Sequence, residues 1–186
     1  MYLCFSVVIS GCAHQDAKPI ASPKQTAPSA PADPVQALYD KVRSGSYQIS
    51  TAIDSIEEVR KAAKEIASKE TGNTRQALLT ISGQLDEAGK VLADYGVDPV
   101  AYEEFKKDFA GQDDRRLKAI DAANEALDDL RDAQDLLGDL LDSHPPEPEG
   151  TQLDNADSSL EECVQTVEDS VRALGGKVKS PNDSNS

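Results

Sequence analysis

Aromatic residues are scarce in this 186-residue chain, where they make up 4% of the sequence and tryptophan is absent. We therefore expect neither a core built on large rings nor a platform of rings for stacking sugars. Histidine and methionine are rarer still, since the chain holds only His14, His144 and the initiator Met1. A haem in a helical protein needs such a residue as ligand, and a di-iron carboxylate bundle needs Glu-x-x-His pairs. Neither histidine follows a Glu at that spacing, so we expect no such cofactor.

Cysteine is limited to Cys4, Cys12 and Cys163, and no two of them have the spacing of a zinc-ligand pair,. Cys163 lies on the apolar face of a predicted helix, which favours a buried core thiol over a reactive one. The sequence also lacks a glycine-rich phosphate loop and a Gly-x-Ser-x-Gly turn,. Its many carboxylates fall on a water-facing surface, where we expect no environment that tunes their pKa for acid–base work. We therefore predict no catalytic residue, no metal site and no enzymatic activity.

Positive charge is in short supply: 34 acidic residues stand against 19 basic ones, for a net charge of −15. Nucleic acids and anionic membrane surfaces attract basic proteins, so we expect neither to bind directly. Between residues 119 and 171 there are sixteen acidic residues and a single basic one, Arg131. Seven acids there recur every three or four positions and predict one water-facing strip on a helix, the acidic strip: Asp121, Glu125, Asp128, Asp132, Asp135, Asp139 and Asp142,.

Three interpretations of the acidic strip remain open. It is a solvated face that keeps the protein soluble, a docking surface for a basic protein partner, or a weak binding site for divalent cations. A dedicated calcium loop is not supported, because the acids follow a helical phase without the Asp-x-Asp-x-Asp-Gly turn that converges oxygens on one ion,.

The N-terminus holds a short apolar run that ends in Ile9-Ser10-Gly11-Cys12. These four residues resemble the lipobox of bacterial lipoprotein precursors. The resemblance implies that residues 1–11 are a signal peptide and that Cys12 becomes the first residue, carrying acyl chains such as palmitate. It also implies a place in the bacterial cell envelope. Because Ala13 replaces the Asp that retains such proteins at the inner membrane, it favours the outer membrane of a Gram-negative cell.

The run before the lipobox is far below the roughly 20 residues that a membrane-spanning helix needs, which suits a cleaved signal. No Lys or Arg precedes it, so we expect either that the true start codon lies upstream or that the run has been clipped. Residues 12–33 then form a segment rich in Ala, Ser and Pro, with prolines at 19, 23, 28 and 31. Such a composition cannot repay the entropy of ordering, so we predict a disordered, extended tether.

Apolar residues at alternating spacings of three and four predict long helices over residues 34–70, 74–95, 99–143 and from 151 to Gly175,. Asp33-Pro34-Val35-Gln36 is a helix start with a capping box. Within the second helix, Gly83 and Gly89 are candidates for close approach of a neighbouring helix. Residues 176–186 are polar, and we predict a disordered tail.

The third helix would overshoot its neighbours at about 1.5 Å per residue, and its apolar face changes phase near Gly111, so we predict a break there. Before the break, Tyr102, Phe105 and Phe109 share a face that would plug one end of the fold. The alternative is a ligand or partner patch. The sequence thus predicts an all-α fold: an acidic, antiparallel up-down bundle of about four helices over residues 34–175, with coiled-coil-like heptad seams.

The function predicted from these features is that of a membrane-anchored, non-catalytic envelope lipoprotein serving as a structural or protein-interaction module. The alternatives are a bundle that binds cations or a small ligand, and a self-assembling coiled coil. Gly45 and Ala52 on the seam of the first helix are poor knobs for a dimer, which favours an intramolecular bundle. The sequence leaves the oligomeric state open.

Overall fold

The computed structural model describes residues 33–94, 100–143 and 149–180. They form five α-helices: α1 (Pro34–Lys69), α2 (Gly72–Asp94), α3 (Tyr102–Lys107), α4 (Phe109–Asp142) and α5 (Glu149–Ala173). The described residues contain no β-strand, and the predicted all-α class is confirmed. None of the described helices is long and apolar enough to span a bilayer. The lipobox, the tether, Tyr95 and His144 lie outside the described residues.

Local sequence signals explain where α1 begins and ends. The Asp33 carboxylate accepts a hydrogen bond from the Val35 N–H at 3.0 Å, and Pro34 occupies the first turn, as predicted,. Gln36 does not complete a capping box, because its amide donates to Asp40 at 2.9 Å. The helix ends at Glu70, which has an extended backbone. Gly72, the first residue of α2, takes a positive φ of 62°. This short connection places α1 and α2 side by side.

The helices pack around one aliphatic core. α1 packs against α2 and α5, and α4 packs against the same two helices, whereas α1 and α4 touch little. The apolar positions predicted for each helix are buried or half-buried where the structure describes them, except Phe109, which is 37% exposed. Twelve large side chains are fully buried, and leucine dominates them: Phe105, Ile56, Leu78, Ile81, Leu85, Leu92, Leu127, Leu130, Leu137, Leu153, Leu160 and Leu174.

The predicted interruption of the third helix near Gly111 is present, and it lies three residues earlier, at Asp108. Asp108 leaves the helical region at φ −120° and ψ 44°. Its N–H bonds the carbonyls of Glu104 and Phe105 at 3.3 Å each, and its carbonyl accepts from the Gln112 N–H at 2.9 Å. The same residue thus ends α3 and starts α4, and Gly111 falls inside the first turn of α4. At about 1.5 Å per residue, the 34 residues of α4 nearly match the 36 of α1,.

Close approach of two helices occurs at Gly45 and at neither of the glycines singled out in the second helix. A Cβ at Gly83 would meet nothing within 4 Å, and one at Gly89 would make an ordinary contact with Ile56 at 3.5 Å. A Cβ at Gly45 would overlap the branch point of the Leu174 side chain, which is fully buried just beyond α5. Gly45, which is a poor knob for a dimer, is therefore the point on the α1 seam that the residue after α5 contacts.

We expect Gly45→Ala to destabilise the protein by about 1–3 kcal/mol, because the added methyl overpacks the core. Gly83→Ala is the matched control, and it should stabilise the protein by about 0.5–1 kcal/mol through helix propensity alone. Urea unfolding followed by circular dichroism measures both changes. Equal stabilisation by the two substitutions would contradict the close contact between Gly45 and Leu174.

The segment after α5 differs from the predicted tail. Gly175 adopts a positive φ of 81° and turns the chain, after which residues 176–180 run extended along α4. Val178 is half-buried against the core, and the backbone on either side of it is hydrogen-bonded to α4. We call residues 176–180 the strap. Residues 181–186 lie outside the described part of the chain.

Candidate functional site

The acidic strip lies on α4, with six of its seven members exposed to solvent and Asp128 half-buried. Arg131 is the only basic residue between 119 and 171, so the strip has few basic neighbours along its own helix. The strip is thus a surface where an outside cation meets little competition. The helix that carries the strip packs against α5, and its residue Arg131 contacts both α5 and the strap.

Two half-buried acidic side chains have raised pKa values, Asp129 beside the strip on α4 and Asp157 on α5. Burial raises the pKa of Asp129, and the charges of Asp132, Glu125, Glu87 and Asp128 raise it further. On α5, burial raises the pKa of Asp157. A raised carboxyl pKa means that the folded state disfavours the negative charge, so a nearby cation would be stabilised. Burial therefore raises the pKa of these two carboxyl groups, which the sequence did not predict.

An ion-pair network joins α4 to α5 at Arg131. Its guanidinium donates to the Glu168 carboxylate at 3.0 Å and to the Lys179 carbonyl at 3.0 Å. The second oxygen of Glu168 accepts from Arg172 at 2.7 Å. The paired side chains of Arg131 and Glu168 are only 18% and 19% exposed, so their contact is screened less by solvent than a surface pair,. The single cation of this acidic region is therefore held in place, and it faces the strap.

The side chain of Asn124 forms hydrogen bonds with the strap backbone. It is 2% exposed, and its amide nitrogen donates to the Ile120 carbonyl at 3.0 Å and to the Lys177 carbonyl at 3.2 Å. Its amide oxygen accepts from the Lys179 N–H at 2.8 Å. One amide thus satisfies a carbonyl and an N–H on the two sides of Val178. Sequence reasoning missed this residue, although a polar amide between the apolar positions Ala123 and Leu127 was a visible signal.

A shallow groove of about 310 Å³ lies between the second half of α1 and the first half of α5. Its floor is apolar and its rim is polar or acidic, and it is lined by Glu58, Val59, Ala62, Glu65, Ile66, Gln152, Asn155, Ala156 and Ser159. Within the described residues, no group of three or more His, Cys, Asp or Glu side chains is placed to hold a metal ion. The groove therefore offers van der Waals contact and hydrogen bonds, with no reactive group at its floor.

Cys163 lies in the core between α5 and α1, as its spacing predicted. It is 1% exposed, and its thiol donates a weak hydrogen bond to the Ala52 carbonyl at 3.7 Å. Burial raises the pKa of this thiol to about 12. The protonated thiol is therefore the stable form, and Cys163 is a packing residue. Cys12, the predicted lipidation site, lies outside the described residues.

The aromatic residues gather at one end of the fold. Phe105 is buried and packs edge-on against Tyr39 and Phe109, with ring centroids 5.4 and 6.4 Å apart. Tyr102 packs against Tyr39 at 5.2 Å, and its hydroxyl donates to Asp33 at 3.3 Å. Tyr39 was not predicted to join the group, because it falls beside the α1 seam and not on it. The arrangement matches an end plug, with Phe109 at the outside, 37% exposed.

No protein-family model, no curated protein and no solved structure matches this chain.

Proposed function

We propose that this chain is a bacterial envelope lipoprotein, anchored through acyl chains on Cys12, whose helical body is a non-catalytic interaction module for a basic protein partner. The anchor rests on the likeness of Ile9-Ser10-Gly11-Cys12 to a lipobox and on the proline-rich segment that follows it. The observation that supports the interaction role best is the acidic face of α4 and α5. Between residues 119 and 171 the one basic residue, Arg131, is paired with Glu168, and the sixteen other charged residues are acidic.

The proposed architecture of the body is an antiparallel up-down bundle of the four long helices, with α3 as an end plug. Contacts along α1 and α5 support opposite directions. Gly45, near the start of α1, meets Leu174 beyond the end of α5, while Ala52 further along α1 meets Cys163 further back along α5. Moving forward on one helix moves the contact backward on the other.

The α1 and α2 contacts support the same reversal. The α1 residue Ile56 faces Gly89, and four residues later Arg60 donates to Asp86 at 3.0 Å. Heptad-like seams follow from this arrangement, since the residues at alternating spacings of three and four are those that the neighbouring helices cover,. Because these seams are covered within one chain, an intramolecular bundle is better supported than a coiled coil between chains.

A basic partner is favoured over a bound cation by the shape of the acidic face. Carboxylates spaced along a helix surface spread their charge over tens of Å, whereas a calcium site needs six to eight oxygens converging at about 2.3–2.6 Å. A polypeptide with spaced basic residues matches such a surface in length and in sign. The strip is thus suited to recruiting a protein to the membrane surface.

Mass spectrometry of the native protein extracted from membranes tests the anchor. We expect a chain that begins at Cys12 and carries acyl groups, and we expect Cys12→Ser to leave the membrane fraction or to keep its leader. Cys163→Ser is the matched control and should remain membrane-bound and acylated, because its thiol is buried in the core. A chain that still begins at Met1 with an unmodified thiol at Cys12 would overturn the proposal.

A further inference from the structure

The strap lies on α4 in the way that a protein holds a peptide ligand. Two of its backbone groups, the Lys177 carbonyl and the Lys179 N–H, pair with the single amide of Asn124, and the Lys179 carbonyl pairs with Arg131. Every peptide carries these backbone groups, so the recognition does not depend on the strap's own side chains. Asn124 is 2% exposed and thus presents a fixed donor and acceptor,.

Side chains add selectivity to this backbone recognition. Val178 points its apolar side chain toward the core and is half-buried, whereas Lys177 and Lys179 on either side of it are exposed. By helical spacing, Asp121 and Asp128 lie one turn from Asn124 on α4. The half-buried Val178 shows that an apolar side chain fits at this position, and the two carboxylates near Asn124 favour basic residues beside it.

The strap can leave without disturbing α5. The end of α5 is closed by residues that precede Lys177, because the N–H groups of Leu174, Gly175 and Gly176 bond carbonyls of the last turn at 2.8–2.9 Å. Arg116 of α4 caps the Leu174 carbonyl at 2.7 Å. The Gly175-Gly176 pair then turns the chain onto α4 and forms the natural hinge.

We infer that the face of α4 and α5 beneath the strap is a binding site for an extended basic peptide segment of a partner protein, and that the strap occupies this site in cis until the partner displaces it. The inference rests on the proposed interaction role and names its binding site and ligand class. It also gives the acidic strip a function, since the strip borders the site and supplies the charge that selects a basic segment over a neutral one.

Peptide binding to a strapless chain tests the inference. The probe is a fluorescent peptide with the sequence of residues 176–186, and the protein is the full chain carrying Cys12→Ser, with and without a stop after Gly176. Fluorescence anisotropy at low and physiological salt measures the affinity. The unacylated chain makes the result independent of the membrane anchor, so failure of this experiment and failure of the anchoring proposal are distinguishable.

We expect the strapless chain to bind the peptide, and the intact chain to bind it at least about tenfold more weakly, because a tethered segment competes at an effective concentration near the millimolar range. Salt should weaken the binding. A peptide carrying Val178→Asp should bind at least tenfold more weakly, and so should one carrying Lys177→Glu and Lys179→Glu. Equal affinity for the charge-reversed peptide would overturn the assignment of a basic ligand.

Variants of the protein locate the site. In the strapless chain, Asn124→Leu should reduce binding at least tenfold, whereas Gln134→Leu, on the same helix but without a bond to the strap, should leave it unchanged. A folded strapless chain that does not bind the peptide overturns the inference. Equal binding by the intact and strapless chains also overturns it, because the site must then lie elsewhere.

Hydrogen exchange on the intact chain tests the inference independently if the strapless chain fails to fold. A displaceable strap opens locally, so we expect the Lys179 amide to exchange at least a hundredfold faster than core amides such as that of Leu127. Exchange of both amides at one common, slow rate would mean that the strap is a permanent part of the core, and the inference would fall.

Discussion

Cys163 of the native protein is expected to react with a thiol reagent about 1000-fold more slowly at pH 8 than the same thiol in the denatured chain, because reactivity follows the thiolate fraction. Burial raises the pKa of this thiol from 9.0 to about 12, which lowers the thiolate fraction by that factor. The hydrogen bond to the Ala52 carbonyl acts in the same direction, since only the protonated thiol can donate it,. Closed access to the sulfur slows the reaction further.

Ellman's reagent measures this difference on a chain carrying Cys4→Ser and Cys12→Ser, with and without denaturant. The matched control adds Ser159→Cys and Cys163→Ala, which moves the single thiol to an exposed position one turn away on α5. That thiol should react at the rate of the denatured chain in both conditions. Rapid labelling of Cys163 in the folded protein would contradict the buried site and would reopen its assignment as a reactive group.

The same shift in pKa sets a pH dependence of stability. Below pH 9 the thiol is protonated in both the folded and unfolded states, so it makes no difference to their balance. Between pH 9 and about 12 only the unfolded chain releases the proton, so the free energy of unfolding falls with rising pH,. The loss should approach 1.4 kcal/mol per pH unit in this window, and Cys163→Ala should abolish that contribution.

The sequence predicted the helices well because their signals are local and repeated. The Asp33-Pro34 start of α1 and the alternating apolar spacing need only a few neighbouring residues to act, and the structure has both. The break in the third helix was predicted from a change in apolar phase, which marks a region and not a residue. At Asp108 the N–H still bonds backward to Glu104 and Phe105 while the carbonyl starts the next helix, and these main-chain bonds leave no mark in the side-chain pattern.

The strap was missed for a different physical reason. Residues 176–180 have a polar composition, and taken by themselves they bury too little to repay the entropy of ordering. Their order comes from partners about fifty positions away, Asn124 and Arg131 on α4. No local pattern reports such a pairing. The buried amide of Asn124 was the one available signal, since a polar group within an apolar face needs a partner.

The aromatic cluster shows the same contrast between local and long-range signals. Tyr102, Phe105 and Phe109 were grouped from their spacing, but Tyr39 joins them only because the fold brings α1 and α3 together. The cluster therefore had two interpretations at the level of sequence, an end plug or a ligand patch. They differ in what the Phe105 ring does: a plug residue contributes to stability, while a patch residue is available at the surface.

Phe105→Ala should lower the free energy of unfolding by about 3–5 kcal/mol, which is the usual cost of removing a buried Phe side chain. Phe105 is 1% exposed and contacts both Tyr39 and Phe109, so its removal leaves a cavity between α1 and α4 and takes away two edge-to-face ring contacts. Urea unfolding followed by circular dichroism measures the change. The short helix α3 should lose amide protection first, since this side chain is its only buried one,.

Phe109→Ala is the matched control, because this ring lies in the same cluster but is 37% exposed. Its removal should cost about 1 kcal/mol or less, in line with a partly solvated side chain that contacts one ring of the cluster,. The ratio between the two substitutions separates the interpretations. If Phe105→Ala and Phe109→Ala cost the same small amount, the cluster does not close the fold, and its rings are better explained as a surface kept for a partner.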